Sequence, residues 1–226
     1  MERIAAVLFD MDGTLVDSRE LAVRSAQAGV RRFFAARGLP PRIPSPQRIL
    51  SLIGAPSPDY FRGLVPEEFA AAASLVRAFV VEEERALMAA GCCRLFTGVR
   101  ELLSDLCSAG IALGLVTNCG RPYLEAVLET LRIGDFFDTV HCIGDIEGGS
   151  KIDLVALALA RLSPVVAREV VLVGDRGFDI AAARHHGLRC VGCLYGYGSA
   201  EELSGADATV TDLRALRPLL GLSSTL

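Results

Sequence analysis

Two kinds of apolar spacing divide the chain. Residues 4–9, Ile-Ala-Ala-Val-Leu-Phe, form an unbroken apolar run, the pattern of a strand buried on both faces. Short apolar runs return at 111–116, 139–143, 170–173 and 189–194, and residues 208–210 add a short edge strand. Between and around them, apolar positions recur at helical spacing over 98–109, 122–131, 152–161 and 179–186. Strand alternating with helix predicts parallel βαβ units, hence an α/β fold with a doubly wound parallel sheet.

One long interval breaks the alternation. From 17 to 95 only helical spacing appears: a helix over 19–37 stopped by Gly38 and Pro40, short pieces near 47–53 and 58–64, and a longer helix opened by Pro66-Glu67-Glu68 and closed at Gly91. The expected organisation is a core of residues 1–16 and 96–226 with a helical cap, residues 17–95, inserted after the first strand. Asp17-Ser18 reads as the N-cap of the first cap helix. Two adjacent crossings between core and cap predict a hinge, with the cap as a lid over the strand ends. Residues 221–226 are expected to fray.

Composition narrows the class. With 226 residues, 51% hydrophobic and 22% charged, the chain reads as a soluble globular protein with a substantial core. Its net charge of −4 and the lack of a basic stripe argue against nucleic-acid binding, though a local pocket can still take an anion. No apolar run approaches the ~20 residues that span a bilayer, and no charged leader precedes the first strand, so no membrane role and a cytoplasmic location are expected. Seven scattered cysteines suit reduced thiols. The single spaced pair, Cys190 and Cys193, falls on a strand where residues three apart face opposite ways, which favours small buried side chains over a metal site. The pattern carries no signal of oligomeric state. Among 23 basic residues only Lys151 is a lysine, and Asn118 is the only asparagine.

The candidate chemistry gathers where strands end. Asp10 and Asp12 directly follow the first apolar run, at the carboxyl end where open α/β sheets place their ligands. Two like charges so close want a cation between them or a proton on one. Gly13 permits a sharp turn, and Thr14 can offer a hydroxyl and an N–H to an anion. The strand ending at Val116 runs into Thr117-Asn118, a hydroxyl and an amide suited to an anion's oxygens. The strand ending at Val173 leads to Asp175 and Asp179, and capping of the following helix is an ordinary alternative for Asp179. Oxygen donors without His or Cys suit a hard, octahedral ion such as Mg²⁺. Lys151, just before a helix, places one compact positive charge.

Asp10-Met11-Asp12-Gly13-Thr14, Thr117-Asn118, Lys151 and Gly174-Asp175 with Asp179 together resemble the four motifs of the haloacid dehalogenase-like hydrolase superfamily, over nearly the whole chain. The resemblance implies a Rossmann-like core with a helical cap and a Mg²⁺-dependent phosphatase. Asp10 would attack phosphorus to form an aspartyl-phosphate, and Asp12 would serve as acid and then base. The resemblance gives Mg²⁺ to the Asp10 carboxylate, the Asp12 backbone carbonyl and Asp175, with Asp179 behind them holding a water or Lys151. Thr117 would bind the phosphoryl group, Asn118 would position substrate or nucleophile, and Lys151 would neutralise both nucleophile and phosphoryl oxygens. Ile152 stands where the family often has a proline after the lysine.

Leu52-Ile53-Gly54-Ala55-Pro56, Leu95-Phe96-Thr97-Gly98-Val99, Tyr195-Gly196-Tyr197-Gly198-Ser199 and Gly205-Ala206-Asp207-Ala208 are similar to the phosphoglycolate phosphatase-like branch. That branch implies a small phosphorylated metabolite as substrate and also holds pyrophosphatases, 5′-nucleotidases and sugar phosphatases. Its mutase and phosphonatase kin use a cap lysine, which this cap lacks, and dehalogenases lack the second aspartate. Arg48 and Arg62 are candidates for gripping a substrate carboxylate, although surface arginine is the favoured reading. A phospho-accepting receiver domain is about half this length, and a catalytically silent binding protein has no need of the intact acids.

Overall fold

The computed structural model describes residues 3–222. Six parallel strands form one sheet in the order β5-β4-β1-β6-β7-β8, where β1 is Ala6–Phe9, β4 Ala112–Thr117, β5 Thr139–Cys142, β6 Val170–Gly174, β7 Arg189–Cys193 and β8 Ala208–Val210. β1 lies between β4 and β6, with Leu8 opposite Gly114 on one side and Leu172 on the other. Its alternate side chains enter two different cores, which is why its apolar run is continuous. Val7 and Phe9 pack beneath α5 (Val99–Ser108), α6 (Arg121–Leu131) and α9 (Leu216–Leu219) with Leu102, Leu124 and Leu216. Ala6 and Leu8 pack on the other face beneath α7 (Lys151–Arg161) and α8 (Gly177–His186) with Leu154 and Ile180. The α/β architecture is therefore doubly wound, helices covering both faces.

The helical interval forms a third apolar cluster of its own. α1 (Arg19–Ala35), α2 (Pro46–Leu52), α3 (Ser57–Gly63) and α4 (Ala73–Ala89) bury Val30, Phe33, Phe34, Ile49, Phe61, Val76 and Val80 together. α1 and α4 meet closely at Gly29, where a Cβ would stand 2.6 Å from Val80 Cγ2. The long helix expected from Pro66 onward starts with a 3₁₀ segment, Glu67–Ala72, before α4 proper.

The crossings differ from the all-helical expectation. Val16–Asp17 (β2) pairs antiparallel with Arg94–Leu95 (β3), so a two-stranded ribbon joins the two bodies. Two residues are too few for a period-2 pattern to register in sequence. Ser18 also departs from its expected role: its hydroxyl makes no cap bond but meets the Tyr197 hydroxyl at 3.1 Å, beyond β7. Of the end expected to fray, residues 223–226 lie outside the described residues, while Leu222 N–H still donates to Arg217 O at 2.9 Å.

Candidate active site

Asp10 is the first residue beyond β1 and is buried. Its N–H donates to Val173 O (2.9 Å), which extends the β1–β6 pairing and fixes the carboxylate above the strand ends. Lys151, the first residue of α7, turns back to ion-pair with Asp10 and, at 2.5 Å, with Asp179. The turn before Lys151 is held by Ser150, whose N–H donates to the Asp153 carboxylate at 2.8 Å. The same capping box starts α7 with Ile152 following the lysine.

Asp175 is fully buried, accepting the Tyr197 N–H at 2.6 Å and the Thr14 hydroxyl at 3.4 Å. Thr14 is thereby committed to Asp175, and its N–H goes to Met11 O (3.3 Å), so neither group is free for an anion as the sequence suggested. Asp179, in the first turn of α8, accepts the Arg176 N–H (2.9 Å) with one oxygen while the other meets Lys151. Both sequence readings of Asp179, cap and site residue, thus describe the same side chain. Gly13 makes this closeness feasible. Its φ of +88° suits only glycine without strain, and a Cβ there would sit 2.2 Å from Asp175 Oδ2.

Ligand atoms of Asp10, Asp175 and Asp179 lie within 4.8 Å of one another. Three buried carboxylates facing one ammonium leave an excess of negative charge. Burial, then Lys151 in opposition, sets the Asp10 carboxyl, which is pushed up to about 7. Burial with Asp10 and Asp179 as neighbours pushes Asp175 well above the usual carboxylate range. For Lys151, burial alone would favour the neutral amine, but Asp10 and Asp179 hold it charged. A further cation would relieve this repulsion, and the donor set is all oxygen, so the residues present fit a hard divalent ion.

Asp12 stands apart from the cluster. Its Oδ1 accepts from Tyr123 Oη at 2.8 Å, and burial raises its pKa against hydrogen bonds from Ser18 and Tyr123. Thr117, at the end of β4, accepts the Cys119 N–H at 3.3 Å, leaving its own O–H to donate. Asn118 reaches the cap as well as the cavity. Its Nδ2 donates to Gly54 O (2.8 Å) and its backbone carbonyl accepts the Ser57 N–H (3.0 Å). Asp10, Asp12, Thr117 and Asn118 floor one cavity, roofed by Ile53, Tyr60, Phe61 and Glu84 of the cap. Arg48 and Arg62 lie outside it, Arg48 bonding to Gly63 O (3.2 Å) and Arg62 to Asp59 (2.6 Å). Sequence reasoning missed Glu84 and the Tyr197 N–H. Glu84 did leave a signal, since it stands at i+4 and i+8 from the buried Val80 and Val76.

A doubly wound sheet with acids and one lysine converging at the strand ends beneath a helical cap defines a class of α/β hydrolytic enzyme. The model of the haloacid dehalogenase-like hydrolases matches residues 7–193, and the chain belongs to that family. Pyrophosphatase PpaX of Bacillus velezensis is 31% identical over 204 residues, 90% of this chain and 89% of that one. The phosphoglycolate phosphatase of Yersinia pseudotuberculosis is 30% identical over 230 residues, covering 98% and 95%. The solved structure of Mycobacterium tuberculosis Protein Tyrosine Kinase A (PtkA) is 31% identical with a TM-score of 0.76, covering 98% and 100%. Among the described residues no helix is long and apolar enough to cross a membrane.

Proposed function

We propose that the chain is a Mg²⁺-dependent phosphatase that hydrolyses a small phosphate monoester through an aspartyl-phosphate on Asp10, with residues 17–95 acting as its cap domain. The observation that carries this reading is the buried Asp10–Lys151–Asp179 chain, whose Asp10 end lines, with Asp12 and Thr117, one cavity. The names of the phosphatase relatives support it.

An Asp10 oxygen attacks phosphorus, and the bond from phosphorus to the ester oxygen breaks on the far side. Asp12, whose buried carboxyl holds its proton more readily than a free one, gives that proton to the leaving oxygen. Thr117 O–H and the Lys151 ammonium bind the phosphoryl oxygens, and Asp179 keeps Lys151 aimed. Water then attacks the phosphoryl group as Asp12 takes its proton. The bond from phosphorus to Asp10 breaks, and inorganic phosphate leaves with the Asp10 carboxylate restored. Mg²⁺ would be held by Asp10, Asp175 and the Asp12 carbonyl, beside Asp179. Bound there, it supplies neutralising charge for the transferring group. Asn118 contributes by clasping the cap over the site, which excludes water during the first transfer.

Acid quenching during turnover, followed by peptide mass analysis, tests the reading. The expected result is one phosphoryl group on the Asp10 peptide, appearing with Mg²⁺ and not with EDTA. A phosphoryl group on another residue, or lasting transfer to a protein hydroxyl instead of water, would overturn it.

A further inference from the structure

The cap side of the cavity carries polar groups that the chemistry above does not use. Glu84, on α4, is only 7% exposed, lines the cavity and has no hydrogen-bond or ion-pair partner among the described residues. Tyr60 Oη, on α3, is buried without a partner, as is Asn118 Oδ1 on the floor. Asn118 cannot be turned over to relieve this, since Gly54 O requires its NH₂ on the other side. Arg77, about two turns from Glu84 along the same side of α4, completes the lining from the rim, with its guanidinium beside Gly120. Buried polar groups are almost always satisfied, so two orphaned atoms and a carboxylate turned into one cavity point to a ligand that satisfies them.

The kinds of group decide the ligand's chemistry. Asn118 Oδ1 calls for a donor, Glu84 offers an acceptor oxygen in either charge state and an O–H when protonated, Arg77 donates only and Tyr60 Oη does either. A carboxylate or a second phosphate, both acceptor-only, would suit Arg77 and Tyr60 but face the acceptor Asn118 Oδ1 and, wherever Glu84 is ionised, a like charge. An ammonium, donor-only, would leave Arg77 opposed. Hydroxyl groups donate and accept at once, and they match the whole ring. Given the phosphatase reading, on which this step rests, we infer that Glu84, Tyr60, Asn118 and Arg77 form the leaving-group subsite for a polyol or sugar phosphate.

The ordering of substrates follows. The kcat/KM for glycerol, tetrose and hexose phosphates is expected to exceed that for 2-phosphoglycolate, pyrophosphate and phosphoethanolamine by about tenfold or more for the best polyol ester. p-Nitrophenyl phosphate, whose leaving group brings no donor, serves as reference. In Glu84→Leu, the ratio of kcat/KM for that polyol ester to the reference should fall about 10- to 100-fold, mainly through KM. Tyr60→Phe, which removes only an oxygen, should lower the same ratio by a smaller factor and covers the case in which Glu84→Leu does not fold. A wild-type enzyme that turns over p-nitrophenyl phosphate but prefers 2-phosphoglycolate, pyrophosphate or phosphoethanolamine would overturn the subsite and leave the phosphatase standing. Ratios unchanged in the soluble variants would do the same. A wild-type enzyme inert even toward p-nitrophenyl phosphate would instead remove the phosphatase reading and the subsite with it.

Discussion

Floor and roof of the cavity are built on opposite terms. On the floor the charged groups already hold one another: Lys151 lies between Asp10 and Asp179, Asp175 takes the Tyr197 N–H, and Asp12 takes Tyr123 Oη. On the roof Tyr60 Oη is buried without a partner, and the largely buried Glu84 carboxylate faces the cavity. A preorganised floor means that the electrostatic arrangement exists before the substrate arrives, where it is worth most to a reaction that moves charge. Unmatched groups on the roof gain partners only from a ligand, so they discriminate between ligands. Reactivity and recognition are thus divided between the strand ends and the inserted helices.

The largest test of that division falls on the floor. Asp10→Asn keeps shape and removes the nucleophile, so turnover should fall by at least about 10³-fold for every substrate alike. Lys151→Met should also abolish turnover, and additionally destabilise the fold by about 3–5 kcal/mol, because two buried carboxylates lose their cation. Urea unfolding and phosphate release read the two effects separately. An active Asp10→Asn enzyme, or a Lys151→Met protein as stable as wild type, would break the picture of a self-supporting floor.

A mid-sized effect concerns the cation. An ordinary unfolded aspartate loses its proton near 3.8, whereas Asp10 in the fold holds its own to about 7. Between those values the folded state binds more protons than the unfolded one, so this group's contribution falls as pH rises and is lost completely above about 7. A bound divalent cation needs the deprotonated carboxylate and cancels the penalty. Mg²⁺ should therefore raise the melting temperature by several degrees at pH 8 and by much less at pH 5. An increment of equal size at both pH values would place the cation away from Asp10.

The same division explains what could be read from sequence. Asp10, Thr117 and Asp175 were legible because a continuous apolar run fixes the strand, and the strand fixes where its next residue stands. Lys151 was legible as the single lysine at the start of a periodic helix. The β2–β3 ribbon and the Tyr197 N–H were not, because a two-residue pairing and a backbone donor leave no side-chain pattern. Glu84 was hidden differently. It ends the run Glu82-Glu83-Glu84, and the first two behave as a solvated face should, pairing with Arg32 at 2.7 and 2.8 Å. One further residue of helical rotation carries the third acid onto the stripe of Val76, Val80 and Met88. A charge count sees three alike, and only the helical period separates them.

A last predicted effect sharpens the roof. Burial, then the nearby Asp12 charge, with Arg77 opposing, pushes the Glu84 carboxyl up to about 8. An unfolded glutamate titrates near 4.5, so the folded protein binds the extra proton between 4.5 and about 8, and stability falls across that window as pH rises. Glu84→Gln cannot ionise and escapes that loss. The variant should match wild type near pH 4.5 and melt about 3–10 °C higher near pH 9. A gain of that sign would mean that the native residue lowers the stability of its own cap, which is what a group kept for binding does and a group kept for packing does not. Equal melting curves across the range would show that the carboxyl reaches water in the free protein. The roof would then be as well satisfied as the floor, and the contrast between them would be lost.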